Sequence, residues 1–290
     1  MPRWKLTIEY DGSGFVGWQR QDNGRSVQQV VEEAIARYVG EPCVIKAAGR
    51  TDAGVHATAQ VAHVDLPRAD SPFTTRSAIN HFLKPDAVAI IEAEPVPDCF
   101  DARFTAIGRG YVYRIVNRPA HPALDRDRVW HLPWPLDVEA MNRGAERLLG
   151  HHDFTSFRST DCQAKSPMRT LDALWVERAG EIVTVTTRSR SFLHNQVRIM
   201  VGTLAMVGRE RWTPDDVSAA LAARRRAAAG PTAPPQGLCL DLVTYPPPAE
   251  WQAMADARDA RQVALAAIAG PATAPSRSTA PAAADQRPPE

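Results

Sequence analysis

Long apolar runs are missing from this chain of 290 residues, and their absence excludes several classes of protein. No stretch approaches the roughly 20 apolar residues that a membrane-spanning helix requires. The first residues, MPRWKLTIEYDG, also lack the apolar segment of a secretory signal. We therefore expect a cytoplasmic protein that does not contact a membrane.

Cysteine is scarce, and no two cysteines form a C-x-x-C pair or stand beside a histidine. The four are Cys43, Cys99, Cys162 and Cys239. This spacing is typical of reduced thiols in the cytosol and predicts neither a zinc site nor a disulfide framework.

Neither sign of charge is in excess, since 34 basic residues face 33 acidic ones. The composition therefore does not by itself indicate a nucleic-acid partner. Lysine is rare, with 4 lysines against 30 arginines. Arginine binds phosphate well, but a GC-rich genome produces the same bias. Only the arrangement of the arginines can distinguish phosphate binding from a bias of the genome.

The hydrophobic share of 44% is that of a soluble globular protein. After Tyr245 the composition changes to one Ala/Arg-rich helical stretch and then to Pro, Ala and Ser. Such a segment has little to bury, so we expect residues 248–290 to form a disordered tail. A chain ending near residue 248 should then fold and function normally.

The remaining chain repeats one order of elements, β-α-β-β-α-β, in residues 1–105 and again in 106–247. The first half has predicted strands at 5–10, 43–48, 59–66 and 87–96, with helices at 27–39 and 74–83. The second has strands at 110–117, 170–178, 181–187 and 237–245, with helices at 137–150, 194–208 and 214–226. We expect an α+β protein of two ferredoxin-like units, each an antiparallel sheet with helices on one face.

Two motifs have competing interpretations. DGSGFVG at 11–17 matches a dinucleotide-binding pattern, but its glycines do not lead directly into a helix. A loop that carries Trp18 and Arg20 and covers a ligand is the better interpretation. GHHDFTSF at 150–157 has no nearby nucleophile, which favours capping and packing over catalysis.

The stretch AAGRTDAGVHATAQ, from Ala47 to Gln60, places Arg50 two residues before Asp52 in a glycine-bounded loop. Arg198 lies in an otherwise apolar helical segment, where an unpaired charge would be costly. Asp52 is a candidate partner for it, and such a pair would keep the carboxylate ionised and oriented as a nucleophile.

Six stretches of the chain resemble, in the same order, the tRNA pseudouridine synthase A family. They are EYDGSGFVGWQRQ (9–21), GRTDAGVHA (49–57), ARFTAIGRGYVYRI (102–115), HDFTSF (152–157), FLHNQVRIMVGTL (192–204) and GLCLDLVTY (237–245). The resemblance covers nearly all of residues 4–246, and GRTDAGVHA is its most specific part.

The resemblance implies the pseudouridine synthase fold, with the two sheets forming a central cleft. It implies that Asp52 is the catalytic aspartate, that Tyr111 stacks on the target uracil and that Arg198 pairs with the carboxylate. Arg50 would help to draw the nucleotide out of the RNA helix. The implied reaction isomerises uridines 38 to 40 in the tRNA anticodon arm, without a metal or other cofactor, in a homodimer.

Two other functions remain open from the residues. A catalytically inactive RNA-binding module would need neither Asp52 nor Arg198. A metal-dependent phosphoesterase would use Asp52, His56, His63 and Asp65. The sequence also leaves open whether Asp52 attacks C1′ or C6 or abstracts a sugar proton.

Overall fold

The computed structural model describes residues 1–269. The strands are β1 (Arg3–Tyr10), β2 (Lys46–Ala47), β3 (His56–Asp65), β4 (Val88–Val96), β5 (Gly108–Asn117), β6 (Trp130–Leu132), β7 (Gly150–Asp153), β8 (Met168–Ala179), β9 (Ile182–Ser189) and β10 (Leu238–Thr244). The helices are α1 (Val27–Val39), α2 (Pro72–Leu83), α3 (Val138–Glu146), α4 (Gln196–Gly208), α5 (Pro214–Ala222) and α6 (Trp251–Ala269). No helix in this range is long and apolar enough to cross a membrane.

All ten strands belong to one sheet in the order β4-β1-β3-β10-β5-β9-β8-β7, with β2 paired to β3 and β6 paired to β5. The halves of the sheet meet where β10 runs parallel to β3, with Leu240 opposite Ala57. On the other side of β10, Leu240 faces Tyr111 of β5 in antiparallel register. The prediction of a mixed α+β protein is confirmed, and its strands form one continuous large sheet.

The two largest of three apolar clusters among the described residues lie between the sheet and helices α1 to α5. In β1 the buried residues alternate with more exposed ones, as expected for a strand with one covered face. Its buried face packs with α1 and α2, whereas α3, α4 and α5 pack with β5, β8 and β9 in the second cluster. Tyr111 is packed against both clusters, so it marks the position where they approach each other.

Helix α1 shows why the predicted helices form where they do. Ser26 caps its first turn, because the hydroxyl oxygen accepts a hydrogen bond from the Gln29 N–H at 3.2 Å. The Gln29 side chain does not complete a reciprocal capping box and instead donates to Glu33 at 2.8 Å. The apolar stripe of the helix packs in the first cluster, as its periodicity predicts.

The structure differs from the predicted elements around residue 150. The helix predicted for 137–150 ends at Glu146, and Gly150–Asp153 forms strand β7 beside β8. A strand of four residues is too short to show a period-2 pattern in the sequence. The packing role predicted for GHHDFTSF is confirmed, since Phe154 and Phe157 are both fully buried.

Part of the predicted disordered tail is folded. Trp251, the first residue of α6, is buried against Phe100, with ring centroids 4.7 Å apart. Its indole N–H donates to the Pro246 carbonyl at 2.9 Å, and Arg258 lies 3.9 Å from Asp101. The prediction of disorder is therefore wrong for the start of α6, because one buried aromatic residue anchors it. Residues 270–290 of the predicted tail lie outside the described residues.

A chain ending at Pro248 should be less stable than the full chain, because it uncovers the Phe100 ring that Trp251 covers. We expect the free energy of unfolding to fall by about 2 kcal/mol and Tm by about 5 °C. Calorimetry of that shortened chain and of full-length Trp251→Ala should give similar losses. Unchanged Tm values in both would show that α6 contributes no stability through Trp251.

Candidate active site

The candidate catalytic loop, residues 48–55, connects β2 to β3 and is held in place by its neighbours. The Trp18 N–H donates to the Thr51 carbonyl at 3.0 Å. The Thr51 hydroxyl lies 2.7 Å from the Tyr10 phenol oxygen, within hydrogen-bonding distance. The Gln60 amide donates to the Gly49 carbonyl at 2.8 Å. These bonds fix the backbone just before Asp52.

The glycine-rich loop at 11–17 supports the catalytic loop. Gly17 has a φ of 112°, and a Cβ there would lie 2.8 Å from the Thr51 carbonyl oxygen, so only glycine allows this approach. Trp18 is buried and packs against Tyr10, with ring centroids 6.0 Å apart. The interpretation of Trp18 as part of a cover over a ligand is therefore wrong, because the indole lies inside the first apolar cluster.

The Asp52 carboxylate is shared between two basic side chains. Nη1 of Arg198 lies 3.5 Å from Oδ2, and Nε2 of His194 lies 3.3 Å from Oδ1. The Asp52 side chain is 31% exposed, so it keeps one open side despite these contacts. The predicted pairing of Asp52 with Arg198 is present, although its distance is long for a hydrogen bond.

Two further acceptors hold the Arg198 guanidinium. Its Nε donates to the Ala233 carbonyl at 2.7 Å, and its Nη1 donates to Asn195 Oδ1 at 2.9 Å. The segment that contains Ala233 lies close to α4, since a Cβ on Gly202 would be 1.8 Å from the Pro231 carbonyl oxygen. This set of acceptors explains how an apolar helix accommodates a charge.

Tyr111 provides an aromatic ring near Asp52. Its ring packs edge-on against Phe192, with centroids 5.3 Å apart. Burial and, less strongly, the nearby Asp52 charge raise the pKa of the Tyr111 phenol above its usual value. The phenol is therefore protonated at neutral pH, and Tyr111 can offer a neutral ring to a base.

Arg50 differs from Arg198 because it is exposed. It forms no ion pair or side-chain hydrogen bond with any residue in the 1–269 range. An exposed arginine two residues before the Asp52 carboxylate can bind a phosphate through its fork of donors.

Sequence reasoning missed His194 and Asn195. Both lie in the stretch FLHNQVR, and the available signal was their closeness in sequence to Arg198, since both precede the first residue of α4. Asn195 adopts the left-handed conformation with a φ of 61°, which asparagine tolerates better than most residues. The sequence could not indicate the Ala233 carbonyl as an acceptor, since every residue type has the same backbone carbonyl.

The alternative metal-binding set is not brought together. Nδ1 of His56 accepts from the Gly12 N–H at 3.0 Å, and Nδ1 of the buried His63 accepts from the Ala102 N–H at 3.0 Å. Asp65 pairs with Arg3 at 2.7 Å. Among residues 1–269, no three His, Cys, Asp or Glu side chains are grouped as a metal ion would require.

Comparison with known proteins identifies the family. A family model described as tRNA pseudouridine synthase matches residues 6–105 and 145–246. The chain is 60% identical over 245 residues to tRNA pseudouridine synthase A of Rhodospirillum centenum, which covers 84% of this chain and 100% of the relative. The corresponding protein of Paramagnetospirillum magneticum is 58% identical over 245 residues, covering 84% and 96%. That of Allorhizobium ampelinum is 54% identical over 254 residues, covering 87% and 98%.

The matched ranges include the catalytic loop and the first turn of α4, the elements that carry Asp52 and Arg198, whereas β5 with Tyr111 lies between the two ranges. The chain therefore belongs to the tRNA pseudouridine synthase family and is an isomerase that converts uridine to pseudouridine in tRNA.

Proposed function

We propose that this isomerase acts on uridines 38 to 40 in the anticodon arm of tRNA and that Asp52 is its catalytic carboxylate. The observation that carries the proposal is the placement of Asp52 on a braced loop, paired with Arg198 and close to Tyr111. The relatives named tRNA pseudouridine synthase A support tRNA as the substrate, and the choice of positions 38 to 40 rests on the family resemblance.

The reaction requires a group such as Asp52. The C1′–N1 bond breaks, the uracil turns over, and C5 bonds to C1′; the proton on C5 is lost, and N1 gains one. No electrons are transferred to an acceptor and no group leaves the nucleotide, so the residues have only to break and remake the glycosidic bond. A carboxylate can attack C1′ or C6, or abstract a sugar proton, and each route needs its free electron pair.

The target base must leave its stack before Asp52 can reach it, which costs a few kcal/mol. We assign the replacement stacking surface to Tyr111, since base–aromatic stacking contributes about 1–3 kcal/mol per base. We assign Arg50 to the phosphate backbone near the extruded nucleotide, because it is exposed and close in sequence to Asp52. Arg198 orients the carboxylate.

We interpret the sheet as two ferredoxin-like halves, residues 1–105 and 106–247, with a cleft at their junction. Two observations support this interpretation. The first half has the order β4-β1-β3-β2 and the second has β10-β5-β9-β8, which is last-first-third-second in both once the short strands β6 and β7 are set aside. Each half also has its own large apolar cluster under its own helices. The target nucleotide would enter where Tyr111 contacts both clusters. The homodimer remains a prediction of the family resemblance, and the cytoplasmic location remains a prediction of the sequence composition.

The site of modification can be tested with tRNA transcripts that carry uridine at one of positions 38, 39 or 40 and cytidine at the other two. Purified protein should form pseudouridine in each transcript, and a transcript with cytidine at all three should gain none. Chemical mapping of pseudouridine reads every position at once. Modification confined to another arm of the tRNA would contradict the proposed substrate while leaving the isomerase activity in place.

A further inference from the structure

His194 is the second side chain that contacts the Asp52 carboxylate. Arg198 lies at Oδ2 and His194 lies at Oδ1, 3.3 Å from its Nε2. The arginine is charged at every physiological pH, whereas histidine changes its charge between about pH 5 and pH 8. One oxygen of Asp52 therefore has a permanent cation as its partner, and the other has a partner whose charge depends on pH.

The backbone of His194 is fixed, but its imidazole is open to solvent. Its carbonyl accepts a hydrogen bond from the Ser159 N–H at 3.0 Å. Asn195, in the left-handed conformation, turns the chain into α4 directly after it. The His194 side chain is 41% exposed, so its ring can exchange protons with water while it stays beside Asp52.

The elements packed around His194 carry several charged or titratable groups. Asp52 on the catalytic loop contacts the imidazole, Arg198 on α4 contacts the same carboxylate, and Tyr111 on β5 packs against Phe192. Arg158 and Asp161 belong to the segment whose Ser159 N–H donates to the His194 carbonyl. Of these, Asp52 is the group in contact with the imidazole through an ion-pair distance. A change in the charge of His194 therefore acts first on the Asp52 carboxylate.

We propose that His194 is a positioning residue that sets the reactivity of Asp52 through its own protonation state. Neutral His194, with Nε2 3.3 Å from Oδ1, limits the positions open to the carboxylate and so orients it. Protonated His194 adds a second positive charge beside the one on Arg198 and lowers the basicity of Asp52. Nucleophilic attack and proton abstraction both use the carboxylate electron pair, so both slow down when His194 is protonated. This inference rests on the proposed role of Asp52.

The test is the single-turnover rate of tritium release from tRNA labelled at C5 of uridine, measured with saturating enzyme from about pH 5.5 to about pH 8.5. The wild-type rate should rise by about tenfold or more across this range, as His194 loses its proton. His194→Gln keeps an N–H donor near the same position but cannot be protonated. Its rate should stay within about twofold across the range, exceed the wild-type rate at the acid end and lie at most about threefold below it at the alkaline end.

His194→Ala removes the donor altogether and should also be flat with pH, but about tenfold slower than wild type at the alkaline end. His151→Gln is the matched control, because His151 is also exposed and bonds to Thr170 Oγ1 at 2.9 Å, not to Asp52. It should keep the wild-type profile. Thermal unfolding of each variant at both ends of the pH range separates a lost rate from a lost fold.

The inference would be overturned if both His194 variants fold and their rates of tritium release still fall at acid pH as the wild-type rate does. The group whose protonation slows the reaction would then lie elsewhere. A wild-type protein that releases no tritium at any pH would instead overturn the proposed function. The two failures are therefore distinguishable in the same experiment.

Discussion

Asp52→Asn should abolish pseudouridine formation while leaving tRNA affinity within about tenfold of wild type, or about 1.4 kcal/mol. The amide has the shape of the carboxylate but lacks its charge and its free electron pair. Affinity for tRNA comes mainly from contacts of basic side chains with phosphates, which this change does not touch. Tritium release from C5-labelled uridine measures turnover, and filter binding at fixed salt measures affinity.

Asp241→Asn provides a matched control for this substitution. Asp241 is also paired with an arginine, since Arg188 Nη2 lies 2.9 Å from its carboxylate, and its side chain is 24% exposed. It does not contact Asp52, Arg198 or His194, so tritium release should continue at the wild-type rate. Wild-type tritium release by purified Asp52→Asn, free of other synthases, would remove Asp52 from the mechanism.

Tyr111→Ala should behave differently from Asp52→Asn, which tests the roles assigned to the two residues. Loss of the ring removes a stacking surface for the extruded base, so capture of the base and turnover should both weaken. An inactive RNA-binding module, the alternative that the sequence left open, would show no turnover in any of these proteins.

Much of the fold could be predicted because its elements have strong local patterns. The apolar stripe of α1 and the alternation in β1 each depend only on residues within that element. Strands β6 and β7 were missed because they have three and four residues, too few for a pattern. The anchoring of α6 was missed because it depends on one residue, Trp251, meeting Phe100 from a distant part of the chain.

In the candidate site, too, some contacts could be predicted from local sequence and others depend on residues that are distant in the chain. The pairing of Arg198 with a carboxylate could be predicted, since an arginine in an apolar helix needs a partner. The contact of His194 with Asp52 could not, because it depends on how the first turn of α4 meets the catalytic loop. Nor could the Ala233 carbonyl be predicted as an acceptor for Arg198, because any residue would present the same group.

Those contacts decide what the loss of Arg198 should do. Arg198→Met leaves the Ala233 carbonyl and Asn195 Oδ1 without their donor, and the side chain it replaces is only 15% exposed. We expect the free energy of unfolding to fall by about 2 kcal/mol. The rate of tritium release should fall by about 100-fold, because the Asp52 carboxylate loses the group that orients it.

Arg198→Lys distinguishes the effect of the positive charge at position 198 from the effect of the guanidinium's planar shape. Lysine keeps the positive charge near Asp52 but lacks the planar fork that reaches Ala233, Asn195 and the carboxylate together. Its rate should therefore fall nearly as far as that of Arg198→Met, while its stability falls less. A wild-type rate in Arg198→Lys would show that only the charge matters.

The double variant Asp52→Asn with Arg198→Met measures how strongly the two side chains interact. It should be inactive, yet more stable than the sum of the single changes predicts, because it leaves no unpaired charge. The coupling free energy should be about 0.5–1 kcal/mol, less than for a fully buried pair, since water and salt screen a partly open carboxylate. Asp52 is 31% exposed and keeps His194 as a second partner, which limits the penalty in Arg198→Met alone. Denaturant unfolding of the four proteins at one pH gives the value. Additivity within about 0.3 kcal/mol would mean that Asp52 and Arg198 do not interact in solution, and the orienting role would then fall to His194.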